Sequence, residues 1–346
     1  MYIVATLGPR TVGEKQIVDM INEGVNAFRI NLSHMDKETI IKVVKFIKLQ
    51  CPNIKIIGDL TGKKIRVSDM LEESFKIYKK ERLVFCAEED YCNLNHIFLE
   101  RNIKVVPLNI SSDLVNHITT KSIFVKDGRY EIKILEKKGS ILNCEAVNSL
   151  YITKGKSCTI AGIDRDKMSI PKRDMDDIQF LIDNKIDIVL LSFISSQLDV
   201  QEYKKIIYKK TKAAKRDIEI WAKIETKEGV NNIKKISDEI DTIVFGRGDM
   251  VAEGGLINLP IYQWGVCRDL YNSGKKLIVA TDLMESVAIK GKPSIAEMND
   301  IFIMVKNGVG GFLLASETTV QNNSIESVRN IVRASKYYYS IIKKKV

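Results

Sequence analysis

Short apolar runs of strand length recur along this chain, and stretches of helical periodicity fill the gaps between them. The runs fall at 2–7, 26–31, 54–60, 187–193, 218–224, 242–247, 276–281 and 311–315. Each is apolar nearly throughout, as strands covered on both faces must be. Helical patterns occupy 14–23, 37–49, 174–184, 200–210, 230–237, 260–273 and 294–307, and a last one spans 324–342. Strict strand–helix alternation calls for parallel strands joined by helical crossovers. Eight such units predict a closed (β/α)8 barrel, an α/β fold. An open doubly wound sheet is the rival, but no G-x-G-x-x-G motif follows the first run. At 346 residues the chain has room for one large barrel and a small insert.

The alternation breaks once. Between residues 68 and 150 the pattern turns to short alternating strands, with Asp127-Gly128 as a two-residue hairpin signal and a further turn at Lys138-Gly139. This reads as a small all-β domain inserted after strand three. The barrel is then carried by residues 1–67 and 151–346.

Charge and cysteine use exclude other classes. The formal net charge is +10, yet the lysines are dispersed along helices among acidic neighbours, and only Lys343-Lys344-Lys345 forms a pure basic run. No aromatic-interleaved recognition motif accompanies them, which argues against nucleic acid as the main partner. A lysine-rich surface with a site for anionic substrates fits better. No run of 18 apolar residues occurs, so no membrane span is expected. The N-terminus enters a strand at once and carries no signal-peptide pattern. Six cysteines lie scattered without a C-x-x-C pair, which suits reduced thiols and a cytoplasmic location.

The chemistry gathers where strands end. The fifth strand finishes in Lys223 and Glu225, two residues apart and so on one side of an extended backbone. The sixth finishes in Gly246-Arg247-Gly248-Asp249. Two carboxylates on consecutive strand ends suit a hard divalent cation that keeps places for water and phosphate. A lysine beside them stands where negative charge needs stabilising. Arg29 lies inside an apolar strand and requires a partner there.

Taken in order, the strand ends read Thr6-Leu-Gly-Pro9, Arg29-Ile-Asn31-Leu-Ser33-His34, Asp59-Leu-Thr-Gly-Lys-Lys-Ile-Arg66, Ser192-Phe193, Lys223-Ile-Glu225, Arg247-Gly-Asp249, Ala280-Thr281-Asp-Leu-Met-Glu285-Ser286 and Ser316-Glu317-Thr318. With an insert after strand three, this series resembles the barrel and lid of pyruvate kinase, from Tyr2 to about Val328. The resemblance implies phosphoryl transfer from phosphoenolpyruvate to ADP, giving pyruvate and ATP. It implies that Glu225 and Asp249 hold Mg2+ or Mn2+, and that Lys223, Arg29 and Arg66 neutralise the moving phosphoryl group. It places Thr281 in the proton-delivery network and the backbone at Gly248 and Asp249 on the substrate carboxylate. His34, Lys154 and Arg66 would face the nucleotide. Asn31, Ser33, Asp59 and the carbonyl of Leu60 would form the monovalent-cation pocket. In the family, a lysine two residues before the strand-three arginine accompanies independence from K+, and here that residue is Lys64. No K+ requirement is therefore expected.

The pattern has departures. Thr61, Lys63, Ser195, Val251, Asp282, Ala315, Ser316 and Ile295 stand where the family uses other residues. Most members continue into a C-terminal effector domain, whereas this sequence ends at Val346. A monomer or dimer is the resulting expectation. These changes cluster toward the nucleotide side and the periphery. They keep open a paralogue that binds phosphoenolpyruvate or a 2-oxo acid with different chemistry, or a sensor without catalysis.

Overall fold

The structure, a computed structural model, describes residues 1–126 and 128–344 apart from the side chain of Leu99. Asp127 of the expected hairpin turn and Lys345 and Val346 of the tail lie outside the described residues.

Eight parallel strands close into a barrel: Tyr2–Leu7, Ala27–Asn31, Lys55–Asp59, Ile188–Leu191, Glu219–Ile224, Thr242–Gly246, Lys276–Ala280 and Gly311–Leu314. Strand eight pairs back on strand one, Tyr2 opposite Gly311 and Ala5 opposite Leu314. Each expected run holds its strand; the first keeps its bounds and the others are one to three residues shorter, trimmed at the start, at the end or at both.

Alternation along the strands sorts their side chains into two cores. Phe28, Ile30, Ile56, Val189, Ala222, Ile224, Phe245 and Phe312 face the surrounding helices. Val4, Ala27, Ile57, Ile188, Leu190, Trp221, Val244, Ile278 and Leu313 pack within the barrel. The side chain two residues further along faces the same way. Thr6, Arg29, Asp59 and Lys223 therefore form a polar layer directly above Val4, Ala27, Ile57 and Trp221, at the C-terminal end of the strands.

Helices surround the barrel largely as the periodicity indicates. Gln197–Ala214 opens on a reciprocal cap between Ser196 and Asp199, and Ile295–Lys306 on one between Ser294 and Glu297. One expectation needs correcting. The pattern at 230–237 is two helices, Lys227–Asn231 and Ile233–Glu239, split at Asn232. The Asn232 amide donates to the carbonyl of Ser195 at 2.8 Å, which ties the break to the loop after strand four. Three helices of the barrel went unread, Arg247–Gly254, Glu285–Lys290 and Ser316–Thr319, each in the segment that follows a strand.

The insert after strand three has its own core, including Phe85, Leu108, Ile123, Ile132 and Leu142. Its six-stranded sheet runs in the order Cys158–Thr159, Ser122–Val125, Tyr130–Lys138, Ile141–Ala146, Arg82–Ala87 and Lys104–Leu108. Leu150–Ile152 pairs with Phe75–Ile77 in a second, two-stranded sheet. The insert also carries the helices Tyr91–Leu99 and Ser112–Asn116. The first is the crossover that the parallel pairing of Arg82–Ala87 with Lys104–Leu108 requires. Among the described residues, no helix is long and apolar enough to cross a membrane.

Candidate active site

Asp59 is the hub of the polar layer. It ends strand three, opposite Asn31 on strand two and Leu190 on strand four. Arg29 donates to its Oδ2 through Nε at 2.7 Å and lies at 2.5 Å through Nη2. Lys223 Nζ reaches the same carboxylate at 3.0 and 3.3 Å, and the Ser192 hydroxyl donates to Oδ1 at 2.6 Å. Burial alone would raise the Asp59 carboxyl, but Lys223 and Arg29, with Ser192, outweigh it and hold the group at about 2. The partner that Arg29 needs inside its apolar strand is therefore Asp59, with Thr6 accepting from Nη1 at 3.1 Å.

Lys223 lies 3.5 Å from Glu225 as well. Burial pushes Glu225 up to about 7, against the pull of Lys223 and with Asp249 adding to the rise. Two carboxylates that disfavour each other's charge leave an excess of negative charge that a bound cation relieves. Gly246 lets strand six pass close behind: a Cβ there would sit 2.8 Å from Glu225 Cγ. Among the described residues there is no group of three or more side chains able to hold a metal. The expected donor set is two carboxylates completed by water and substrate, and Glu225 and Asp249 fit it.

Lys64 lies elsewhere than the ion pocket would place it. Its ammonium stands on Asp249, at 2.9 and 3.2 Å from the two carboxylate oxygens, and 5.4 Å from the centre of the Phe193 ring. Asp59 gives its oxygens to Arg29, Lys223 and Ser192 instead. Asn31 Oδ1 accepts from the backbone of Ser33 at 3.0 Å, and Ser33 Oγ meets Thr61 Oγ1 at 2.9 Å. Leu60 donates its N–H to Leu190 across the strand gap.

Thr281 directly follows strand seven with φ at 71°, a left-handed conformation that a β-branched residue seldom takes. Its surroundings fix it there. Its hydroxyl donates to Ala280 O at 2.6 Å and accepts from Gly248 N at 2.9 Å. Its carbonyl accepts from Arg247 at 3.0 and 2.8 Å, and Arg247 in turn pairs with Asp300 at 2.6 Å. The start of helix Arg247–Gly254 is thereby held against the end of strand seven.

Two cavities flank this layer. One, of about 480 Å³, is lined by Arg29, Lys223, Glu225, Gly248, Asp249, Thr281 and, from the insert, Arg129. Val251, Asp282, Ala315 and Ser316 also line it, so four of the departures stand beside Lys223, Glu225 and Asp249, against the expectation that they lie toward the nucleotide side and the periphery. The other, of about 690 Å³, lies between barrel and insert and is lined by Ser33, His34, Lys64, Arg66, Lys154 and Arg173, with Thr61 among the departures. Arg66 donates to Gly155 O at 2.8 Å. The ion pair of Lys64 with Asp249 joins one cavity to the other. Lys63 and Ser195 serve a different end: both converge on buried Asp199, Lys63 at 2.6 Å and Ser195 Oγ at 2.8 Å. Lys63 brings a cation to Asp199 from the loop after strand three. Ile295 is almost fully exposed, and nothing in the structure explains it.

Sequence reasoning missed Ser192 as a partner of Asp59, and it missed Arg129. Ser192 was visible at a strand end but carried no distinctive signal. Arg129 follows the hairpin glycine and reads as a turn residue.

Fold and site together define a lidded (β/α)8 barrel enzyme whose strand ends gather cations and carboxylates between two cavities. The family model for the pyruvate kinase barrel domain matches residues 1–328. The chain is 28% identical over 331 residues to the pyruvate kinase of Encephalitozoon cuniculi, covering 94% of this chain and 73% of that protein. It is 27% identical over 339 residues to that of Thermococcus litoralis, covering 96% and 68%. The crystal structure of pyruvate kinase from Pyrobaculum aerophilum superimposes with a TM-score of 0.82 at 26% identity, covering 97% of this chain and 73% of that one. The chain belongs to the pyruvate kinase family. That family typically uses a divalent metal.

Proposed function

We propose that this protein transfers the phosphoryl group of phosphoenolpyruvate to ADP, with the donor in the smaller cavity and the nucleotide in the larger. The observation that carries this reading is Lys64, which lines the nucleotide-side cavity and ion-pairs with Asp249 in the other. A group passing between the cavities travels past Lys64 and Lys223.

Glu225 and Asp249 hold Mg2+ or Mn2+. When bound, the metal supplies positive charge to the substrate carboxylate and to the phosphoryl oxygens. The start of helix Arg247–Gly254, at Gly248 and Asp249, receives the substrate carboxylate, with the Gly248 N–H shared with Thr281 Oγ1. Lys223, fixed by Asp59, meets the charge that spreads over the phosphoryl oxygens as the enol P–O bond breaks and the bond to the ADP oxygen forms. Arg29 shares that task from below, and Arg66 from the nucleotide side with His34 and Lys154. The enolate then takes a proton at its terminal carbon, beside the Thr281 hydroxyl. Asn31, Ser33, Asp59 and the Leu60 carbonyl are assigned to the monovalent-cation region, with Lys64 in place of a K+ requirement. The insert serves as the lid that excludes water.

A second reading draws on Val251, a β-branched side chain on the wall of the donor cavity. It would narrow that cavity and suit a related 2-oxo acid with different chemistry. A coupled assay for pyruvate formation from phosphoenolpyruvate, ADP and Mg2+ separates the two. Pyruvate released in step with ATP supports the kinase reading; phosphoenolpyruvate binding without pyruvate release rejects it in favour of the second.

A further inference from the structure

We infer that Arg129, at the tip of the lid hairpin, holds the carboxylate end of the substrate and so sets the protein's affinity for it. This rests on the reading of the smaller cavity as the phosphoenolpyruvate site.

Among the described residues, the barrel's side chains bring no surplus positive charge to that cavity. Arg29 and Lys223 are paired with Asp59, Lys223 lies against Glu225 too, and Lys64 sits on Asp249. Asp282 adds a carboxylate at the rim. Three cations thus face four carboxylates, and a multiply charged anion meets no net attraction from the barrel's side chains alone.

Arg129 supplies what is missing. It lines the same cavity, and among the described residues its side chain makes no hydrogen bond or ion pair. It is also held in place by its backbone. Strands Ser122–Val125 and Tyr130–Lys138 pair antiparallel, with Val125 opposite Tyr130. Arg129 N donates to Lys126 O at 3.2 Å, and Lys126 N to Ser157 O at 3.0 Å. Gly128, at φ +84°, rests on the barrel so closely that a Cβ there would lie 3.3 Å from Ala252 Cβ. Ala252 belongs to helix Arg247–Gly254, whose residues Gly248, Asp249 and Val251 line the same cavity. Arg129 therefore enters from the side of that helix, at the carboxylate end. Arg66 and Lys154 are in the other cavity. A guanidinium presents paired N–H donors that match a carboxylate.

Calorimetric titration of the Mg2+-loaded full chain tests this, because binding is read without turnover. The probes are phosphoenolpyruvate, oxalate (two carboxylates and no phosphate) and ADP. Arg129→Leu should weaken phosphoenolpyruvate and oxalate by about ten- to a hundredfold, the range for a lost charge-assisted hydrogen bond. ADP binding should stay within about twofold, and Arg129→Lys should recover part of the loss. In turnover, KM for phosphoenolpyruvate should rise much more than kcat falls. Oxalate and phosphoenolpyruvate binding by Arg129→Leu within twofold of the unmodified protein would overturn the inference. Loss for phosphoenolpyruvate with oxalate unchanged would overturn the assignment to the carboxylate end. Failure of the unmodified protein to bind either anion would overturn the reading of the cavity, and this inference with it.

Discussion

Replacing Asp59 with asparagine tests the centre of the site, because the substitution keeps the shape and removes only the charge. Asp59 is buried and faces Arg29 and Lys223, themselves about nine-tenths buried. Its carboxyl is held at about 2 against an ordinary 3.8. A depression of nearly two units corresponds to about 2 kcal/mol of folding stability. The folded value lies below the unfolded one, so this contribution is fully present above pH 3.8 and is lost only as pH falls through about 2. Asparagine also leaves two buried cations with a single counter-charge, Glu225, on the Lys223 side. Breaking a buried pair in this way costs about 3–5 kcal/mol. The expected loss is therefore about 2–5 kcal/mol, read from urea unfolding followed by circular dichroism. The share owed to Asp59 itself does not change between pH 5 and pH 8, which both lie above its titration; any change across that interval reports Glu225, which is raised to about 7. Turnover should fall by about a hundredfold, the usual consequence of misplacing a catalytic group by an ångström. A loss below about 0.5 kcal/mol, the size of an ordinary surface substitution, would refute the reasoning. A stability difference between the two proteins that does not shrink as pH falls from 4 toward 2 would show that the Asp59 carboxyl is not depressed.

The remaining expectations concern the same layer. Lys223→Met should lower turnover by roughly a hundred- to a thousandfold, as for loss of one preorganised transition-state contact, and a change of only a few-fold would make Lys223 structural. Glu225→Ala and Asp249→Ala should each abolish turnover and Mn2+ binding, followed by electron paramagnetic resonance, while circular dichroism stays unchanged; activity surviving in both removes the metal assignment. Because Glu225 is raised to about 7, the cation must displace a proton below that pH, so Mn2+ affinity should weaken as pH falls through 7, and a pH-independent affinity between 6 and 8 would contradict it. Replacing K+ with a large organic cation at constant ionic strength should leave activity nearly unchanged. Lys64→Glu should create a K+ requirement, because it sets a third carboxylate beside Glu225 and Asp249; a K+ requirement in the unmodified protein would sink this reading of Lys64.

How much of this was legible follows from how far each signal reaches along the chain. The barrel strands were readable because burial on both faces leaves a local mark, a continuous apolar run. Lys223 and Glu225 were readable as neighbours because two-residue spacing on a strand fixes a shared side without knowledge of the fold. Arg29 announced only that it needed a partner. Which carboxylate answers is decided by barrel closure, which sets Asn31 beside Asp59 and Asp59 beside Leu190. Helix Arg247–Gly254 was hidden because eight residues that begin at a strand end leave no apolar periodicity to read.

Lys64 carries the argument one step further. Position in a motif singled it out as a cation beside Asp59, and in the structure its half-buried ammonium pairs with Asp249. The motif could not point to that carboxylate, because Asp59 is five residues away and Asp249 is separated by 185. The near one is already saturated by Arg29, Lys223 and Ser192, so the lysine goes to the distant one. Local sequence distance favours one pairing and the accounting of charge favours the other; in a closed barrel, where all strand ends meet, charge decides. By the same accounting, the described cations of the barrel around the smaller cavity, Arg29, Lys223 and Lys64, each already face a carboxylate, and Arg129 on the insert is the cation that adds charge to that cavity.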